Sequence, residues 1–278
     1  MDTSGSGRTG DAGVEQVTAV LPVQDPATTP LAPVTATLRA MFGTDVLPGL
    51  APGILVVDET GWSPATSLTG AGLSELLSSA GRLWGGSAHA SAALAWKAYS
   101  YWAMLPVVLG WAAARRVPLL DHTETLIHFT DRRTLVTVGL RESIPIAVLP
   151  NDPLALAGLP QVRVVADERE LLTALRATLL DGHLSPVVAA IQREVRIGAR
   201  TLLGSAASGI AHGLLRAADN LPGSAVEAIH TLLDTLGLAD LVELVPGPNG
   251  EPIVQRRTCC LAFTLPQPKV CQGCCIRS

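Results

Sequence analysis

The residues with the most definite chemistry in this chain are five cysteines, and all lie beyond position 258 of 278. They stand as Cys259-Cys260, then ten other residues, then Cys271-Gln272-Gly273-Cys274-Cys275. Random scatter does not gather five thiols into one short tail. Thiolate sulfur is a soft ligand, and four thiolates together suit either tetrahedral zinc or an iron–sulfur cluster. The Cys271-x2-Cys274 spacing lets two sulfurs chelate one metal from a tight loop, with Gly273 giving that loop its conformational freedom. The vicinal pair, Cys259 and Cys260, must then supply the other ligands. A disulfide framework belongs to small secreted proteins, and this chain is neither small nor headed by an export signal. Structural zinc usually joins two Cys-x2-Cys pairs, whereas one pair here is vicinal. Spacing alone leaves zinc and an iron–sulfur cluster level.

The charge around the thiols differs from the rest. The chain carries a net charge of −4, yet from Glu251 onward four basic residues (Arg256, Arg257, Lys269, Arg277) face that one acidic residue. Such a collar is either a solvated surface or a device that attracts an anionic ligand and raises the potential of a redox centre. The acidic balance overall argues against a nucleic-acid partner, which needs a basic face.

The pattern Cys259-Cys260-x10-Cys271-x2-Cys274, with Arg256 and Arg257 just ahead, resembles the C-terminal signature of the FhuF-like ferric-siderophore reductases. The vicinal pair makes it specific. Looser similarity reaches upstream, in Arg82-Leu83-Trp84-Gly85, in 87–94 with the apolar run to Trp111, and in the small-residue segment 202–209, so the resemblance covers roughly 70–278. It implies that Cys259, Cys260, Cys271 and Cys274 hold a [2Fe–2S] cluster. It further implies cytoplasmic reduction of a ferric siderophore by one electron, with release of Fe(II) for iron assimilation. The electrons would come from an external donor: a ferredoxin, a flavin or an NAD(P)H-dependent reductase. Cys275 departs from the four-cysteine pattern and either replaces Cys274 as a ligand or stays free. For that reading Arg256, Arg257 and Lys269 are the candidates to attract the chelate. Two other readings compete: a zinc-stapled four-cysteine binding protein without a redox role, and a [2Fe–2S] electron-transfer or iron-sensing partner without a siderophore pocket.

The elements that must position these residues are mostly helices. At 48% hydrophobic and 16% charged residues, the chain can bury a sizeable core. The fold class expected is α+β, mainly helical, with a small antiparallel sheet at about 125–165. We divide it into a loosely packed or disordered leader over 1–30, a helical body over 31–250 and a cluster-binding segment over 251–278. The first sixteen residues lack the apolar core of a signal peptide, and a cluster needs a reducing compartment, so the expected location is cytoplasmic. A short helix over 35–42 and a strand over 54–58 come first. Helical periodicity then runs over 73–116, with Ser74 as a cap and Gly81 near an end or bend.

Within it, 17 residues between Lys97 and Arg115 carry no charge. Pro106 and Gly110 interrupt them, which fits a buried, kinked core helix better than a membrane span, although peripheral membrane contact stays open. The same region holds Trp84, Trp96, Tyr99, Tyr101, Trp102 and Trp111, rings that pack a core or wall a pocket, together with His89 and Lys97. Alternation over 125–138 reads as a hairpin, with further strands at 144–149 and 162–165. Helices follow over 168–180, from Ser185-Pro186 to about 203, and from the Ser224-x-x-Glu227 cap to Gly237. The Pro246-Gly247-Pro248-Asn249-Gly250 loop then hands over to the cysteines. The sequence shows no P-loop, no Gly-x-Gly-x-x-Gly fingerprint and no nucleophile–His–acid set.

Overall fold

The computed structural model describes residues 29–132, 134–271 and 273–276, so nearly all of the expected leader lies outside the described residues. The fold is α+β and mainly helical. Helix α1 (Ala32–Phe42) starts earlier than its periodicity suggests, because Pro33 fits the first turn, where its missing N–H costs nothing. Helix α2 (Ala71–Trp84) is entered from Gly70 and left at Gly85, which takes the left-handed conformation (φ 60°); Ser74 and Gly81, the expected punctuation, both lie inside it. Helix α3 (Ala88–Ala114) is capped by Ser87, whose Oγ accepts from the Ala90 N–H at 3.2 Å, and Pro106 is buried within it. It is apolar on every side and runs through the middle of the molecule, as such helices do. No helix among the described residues is long and apolar enough to cross a membrane.

The second half departs from its expected breaks. Asp167 caps α4 (Glu168–Leu175), accepting from the Glu170 N–H at 2.8 Å. The rod then continues without interruption through a π-helical stretch (Arg176–Leu184) into α5 (Ser185–Glu194). Ser185-Pro186 therefore opens no new helix. The wider π turns end where Pro186, lacking an N–H, could not have continued an unbroken α ladder. The backbone becomes extended at Val195, well before 203, and α6 (Ala199–Ala217) takes the small-residue segment into its interior. Helix α7 (Ala225–Leu236) follows expectation, with Ser224 Oγ accepting from the Glu227 N–H and Gly237 left-handed at its end.

Strands β1 (Leu50–Val56), β2 (Ser63–Pro64), β3 (Val117–Pro118), β4 (Thr125–Phe129), β5 (Val136–Arg141), β6 (Ile146–Val148) and β7 (Val162–Val164) form two sheets, ordered β1-β5-β4-β2 and β3-β6-β7. The expected hairpin is β4–β5, with Ile127 opposite Val138. The two later strands exist but join β3 in their own sheet, where β6 and β7 run parallel. Pro145 explains the separation, since it donates nothing to a ladder and lets the chain leave β5. Strands β8 (Val242–Pro246) and β9 (Pro252–Arg256) make a separate hairpin, and the Pro- and Gly-rich loop is its turn, closed by Gly247 N–H to Glu251 O at 2.7 Å.

One core joins these parts, from Val34 in α1 to Val254 in β9. Its centre is the α3–α6 contact. Trp96 is fully buried there and donates its Nε1–H to Leu202 O at 2.7 Å, tying the large ring to the helix it packs against. That contact brings α6 up to β9, and β9 leads directly into the cysteines.

Candidate metal centre

Strand β9 does not stop at its last ladder bond. Arg256 N–H donates to Gly273 O at 2.9 Å, and Gln255 Nε2 reaches Cys274 O at 3.4 Å, so the Cys271–Cys274 turn is laid along the end of the strand. Gly273 is required by this approach: a Cβ on it would stand 1.8 Å from Val254 O, inside any tolerable contact. The sequence marked Gly273 for loop freedom, but the structure uses it for closeness to a neighbouring backbone. The ten residues between the cysteine pairs loop over the junction of α2 and α3, where Leu265 covers Gly86 and Pro266 faces Gly85. Leu261 turns that loop in the left-handed conformation (φ 62°), and its N–H donates to Cys259 Sγ at 3.3 Å. Amide donors of this kind tune thiolate ligands.

All five thiols lie at this end of the chain, and none is in a disulfide. Cys260 and Cys274 are buried, Cys259 and Cys275 half-buried, and Cys271 exposed. Burial pushes the Cys271 thiol upward, Cys260 and Cys274 push the same way, and Lys97 and Arg256 oppose them. Burial also raises Cys275, helped by Cys259 and Cys274, and Cys275 shares a hydrogen bond with Cys259. Each of these two C-terminal thiols thus lies in the field of one member of the vicinal pair. Among the described residues no three Cys, His, Asp or Glu side chains surround one point closely enough for a metal ion. Binding one therefore asks these thiols to turn toward one another.

Arg256 gives the centre its electrostatic character. Its side chain is buried, at 3% exposure, which is unusual for a guanidinium without a carboxylate beside it. Nη2 donates to Ser205 Oγ at 2.9 Å and stands 3.5 Å from Thr258 Oγ1. Nε and Nη1 are buried with no hydrogen-bond partner among the described residues. A buried cation of this kind is costly unless a negative charge lies near it. Four thiolates around two Fe(III) and two sulfides carry a net charge of −2, so the donor set and the orphaned guanidinium both fit a [2Fe–2S] cluster. The close seat of Arg256 depends on α6, where a Cβ at Gly204 would meet Thr258 Oγ1 at 1.9 Å.

The other predicted site residues part ways. Arg257 points outward, and its Nη2 donates to Glu243 Oε2 at 3.0 Å. Lys269 is exposed on the covering loop, anchored by its own N–H to Ala262 O. His89 is exposed in the first turn of α3 and is not a core residue. The aromatic segment divides: Trp96, Tyr99 and Trp111 are buried in the core, whereas Trp84, Tyr101 and Trp102 face a cavity between α2, α3 and α6. Sequence reasoning missed Ser205 and His212 on α6, and gave Lys97 no role. Their only signal was helical spacing, i to i+7 for Ser205 and His212.

No family model matches this chain, and no curated protein does. Among solved structures, the ATP-bound aerobactin synthetase IucA from a hypervirulent pathotype of Klebsiella pneumoniae aligns at 18% identity and a TM-score of 0.48, over 62% of this chain and 31% of that one. A second structure of aerobactin synthetase IucA from the same source aligns at 18% identity and a TM-score of 0.47, over 70% of this chain and 37% of that one. This chain therefore spans well under half the length of either.

Proposed function

We propose that this chain is a ferric-siderophore reductase, with Cys259, Cys260, Cys271 and Cys274 as the ligands of a [2Fe–2S] cluster in a reducing, cytoplasmic compartment. The observation that carries this reading is the buried Arg256 guanidinium beside the cysteine turn, with two nitrogens that have no partner among the described residues. When bound, such a cluster supplies one electron to chelated Fe(III), which leaves as Fe(II), and a ferredoxin, flavin or NAD(P)H-dependent reductase replaces that electron. Hard oxygen chelators hold ferrous iron far less well than ferric, so reduction is itself the release step. No general acid, base or nucleophile is needed.

The chain's own residues then have three tasks. Strand β9 and Gly273 fix the Cys271–Cys274 turn against the vicinal pair. Arg256 offsets negative charge on the thiolates and biases the site toward accepting an electron. The Leu261 N–H holds Cys259 Sγ in place. Cys275, beside Cys259, is the spare thiol, and Cys274, buried and closer to β9, is the fourth ligand.

The test is anaerobic purification with a visible spectrum and iron, sulfide and zinc assays on one sample. About two irons and two sulfides per chain, red-brown and bleached by dithionite, are expected. Adding a ferric chelate to the bleached protein should restore the colour and yield Fe(II) to a ferrous-specific dye. Colourless protein holding one zinc, unchanged by cluster reconstitution, would overturn the reading.

A further inference from the structure

The cavity between α2, α3 and α6 is about 320 Å³, at the lower end for small-ligand pockets, and adjoins the cysteine centre. Its walls are of two kinds. Trp84, Tyr101 and Trp102 supply apolar rings, with Tyr101 and Trp102 edge to face at 5.2 Å between centroids. The facing stretch of α6 is small: Ser205, Ser208 and Gly209 leave the room that larger side chains would fill. A Cβ on Gly209 would already press on Met104 Cε at 3.1 Å. The same small-residue segment that seats Arg256 also opens this slot.

Among the described residues, Lys97 is the one charged side chain that lines the slot. His212 lines it too, and no carboxylate does. Among the described residues Lys97 makes no salt bridge. Lys97 and Arg256 both lie near enough to His212 for their charges to add to burial in holding its imidazole below the ordinary value. Lys97 also acts on Cys271, so its charge is felt at the slot and at one thiol. Ser205 joins the two sites directly, lining the slot while its Oγ accepts from Arg256.

We propose that this slot binds one anionic aryl chelating arm, of catecholate type, and so holds a ferric catecholate beside the cysteine centre. Flat rings stack on aromatic walls, and Lys97, with Arg256 behind Ser205, favours an anion. Three catecholate dianions around Fe(III) leave a charge of −3, whereas three hydroxamates leave a neutral complex. The slot therefore selects by charge and by ring, and its size admits one arm with the iron at the mouth. This inference rests on the reductase reading for the chelate's purpose, but the binding it states is independent of any cluster.

The experiment uses redox-inert gallium complexes on the full chain, read by calorimetry and tryptophan fluorescence. Tris(catecholato)gallate(III) should bind and quench, and a neutral gallium tris-hydroxamate should bind at least tenfold more weakly. Lys97→Gln should weaken the catecholate at least tenfold, and Ala98→Leu, which fills the slot, should abolish binding. Equal affinity for the neutral complex, an unaffected Lys97→Gln protein, or no binding by the wild type each overturns the proposal. Circular dichroism checks both variants for folding, and if Ala98→Leu unfolds, Lys97→Gln decides. Iron and sulfide assays on the same preparations separate the two readings. Gallium binding without a cluster sinks the reductase reading alone, and a cluster without gallium binding sinks the slot alone.

Discussion

The interior around α3 and the cysteine end beside β9 treat large buried polar side chains in opposite ways, although the small hydroxyls of Ser91 and Ser100 on α3 also lack partners among the described residues. Inside, the large polar side chains answer one another. Trp96 donates to Leu202 O, Trp111 Nε1 donates to Glu168 Oε1 at 2.7 Å, and Tyr99 Oη and His183 Nε2 meet at 2.6 Å. At the cysteine end a guanidinium is just as buried, yet two of its nitrogens have no partner among the described residues. A satisfied group explains itself by stability alone. An unsatisfied buried cation costs stability, and that cost is retained where function uses the charge. The contrast separates a scaffold from a site, and four substitutions or titrations break it or sharpen it.

The largest effect is expected at the joint between the two regions. Gly273→Ala places a methyl group against Val254 O, so the Cys271–Cys274 turn must leave β9. Bound iron and sulfide should fall to near zero while far-UV circular dichroism stays that of the wild type. Gly223→Ala is the control, since nothing lies within 4 Å of its added Cβ. Full iron content in Gly273→Ala would show that the turn does not depend on β9.

The interior has its own titration. Burial holds His183 down to about 4, and it is neutral between Tyr99 and Thr125. In the unfolded chain it returns to about 6.5 and takes a proton first as the pH falls. Stability should therefore decline between pH 6.5 and 4 by about 3 kcal/mol and level off below that range. Urea unfolding followed by circular dichroism across this range measures it, and His183→Gln should flatten the decline. A wild-type profile level from pH 7 to 4.5 would mean that His183 is not buried as a neutral ring.

What the sequence made legible follows the same division. Period and caps showed α1, α3, α7 and the β4–β5 hairpin, because each is fixed by its own residues. The cysteine spacing singled out the thiols, since no packing requirement gathers five of them. Illegible were features that depend on contacts distant in sequence. The π-helical run into α5 replaced a predicted break at Ser185, and only its packing places His183 against Tyr99. The second sheet needed β3 and β7 to meet β6, and the role of 204–209 needed α3 opposite. Arg256 and Arg257 look interchangeable as text, and no local rule says which one turns inward.

That last pair gives the two smaller effects and the sharpest test of the contrast. Arg256→Gln removes a buried positive charge near the thiols, so the cluster potential should fall by about 1–2 kcal/mol, roughly 50–90 mV for one electron. Spectroelectrochemistry reads that shift, and an unmoved potential would remove Arg256 from the redox argument. Arg257→Ala takes away only an exposed pair with Glu243, in which both side chains are about half open to solvent. Exposed pairs are screened and contribute roughly 0–1 kcal/mol, so stability, potential and chelate affinity should all stay within error. Adjacent in the chain and alike in charge, the two arginines differ in burial: Arg256 is buried at the end of β9, and Arg257, just past it, is about half open to solvent. A potential shift in Arg257→Ala as large as in Arg256→Gln would mean that the thiols respond to net charge at a distance. No shift there, with a clear one in Arg256→Gln, ties the effect to the buried guanidinium.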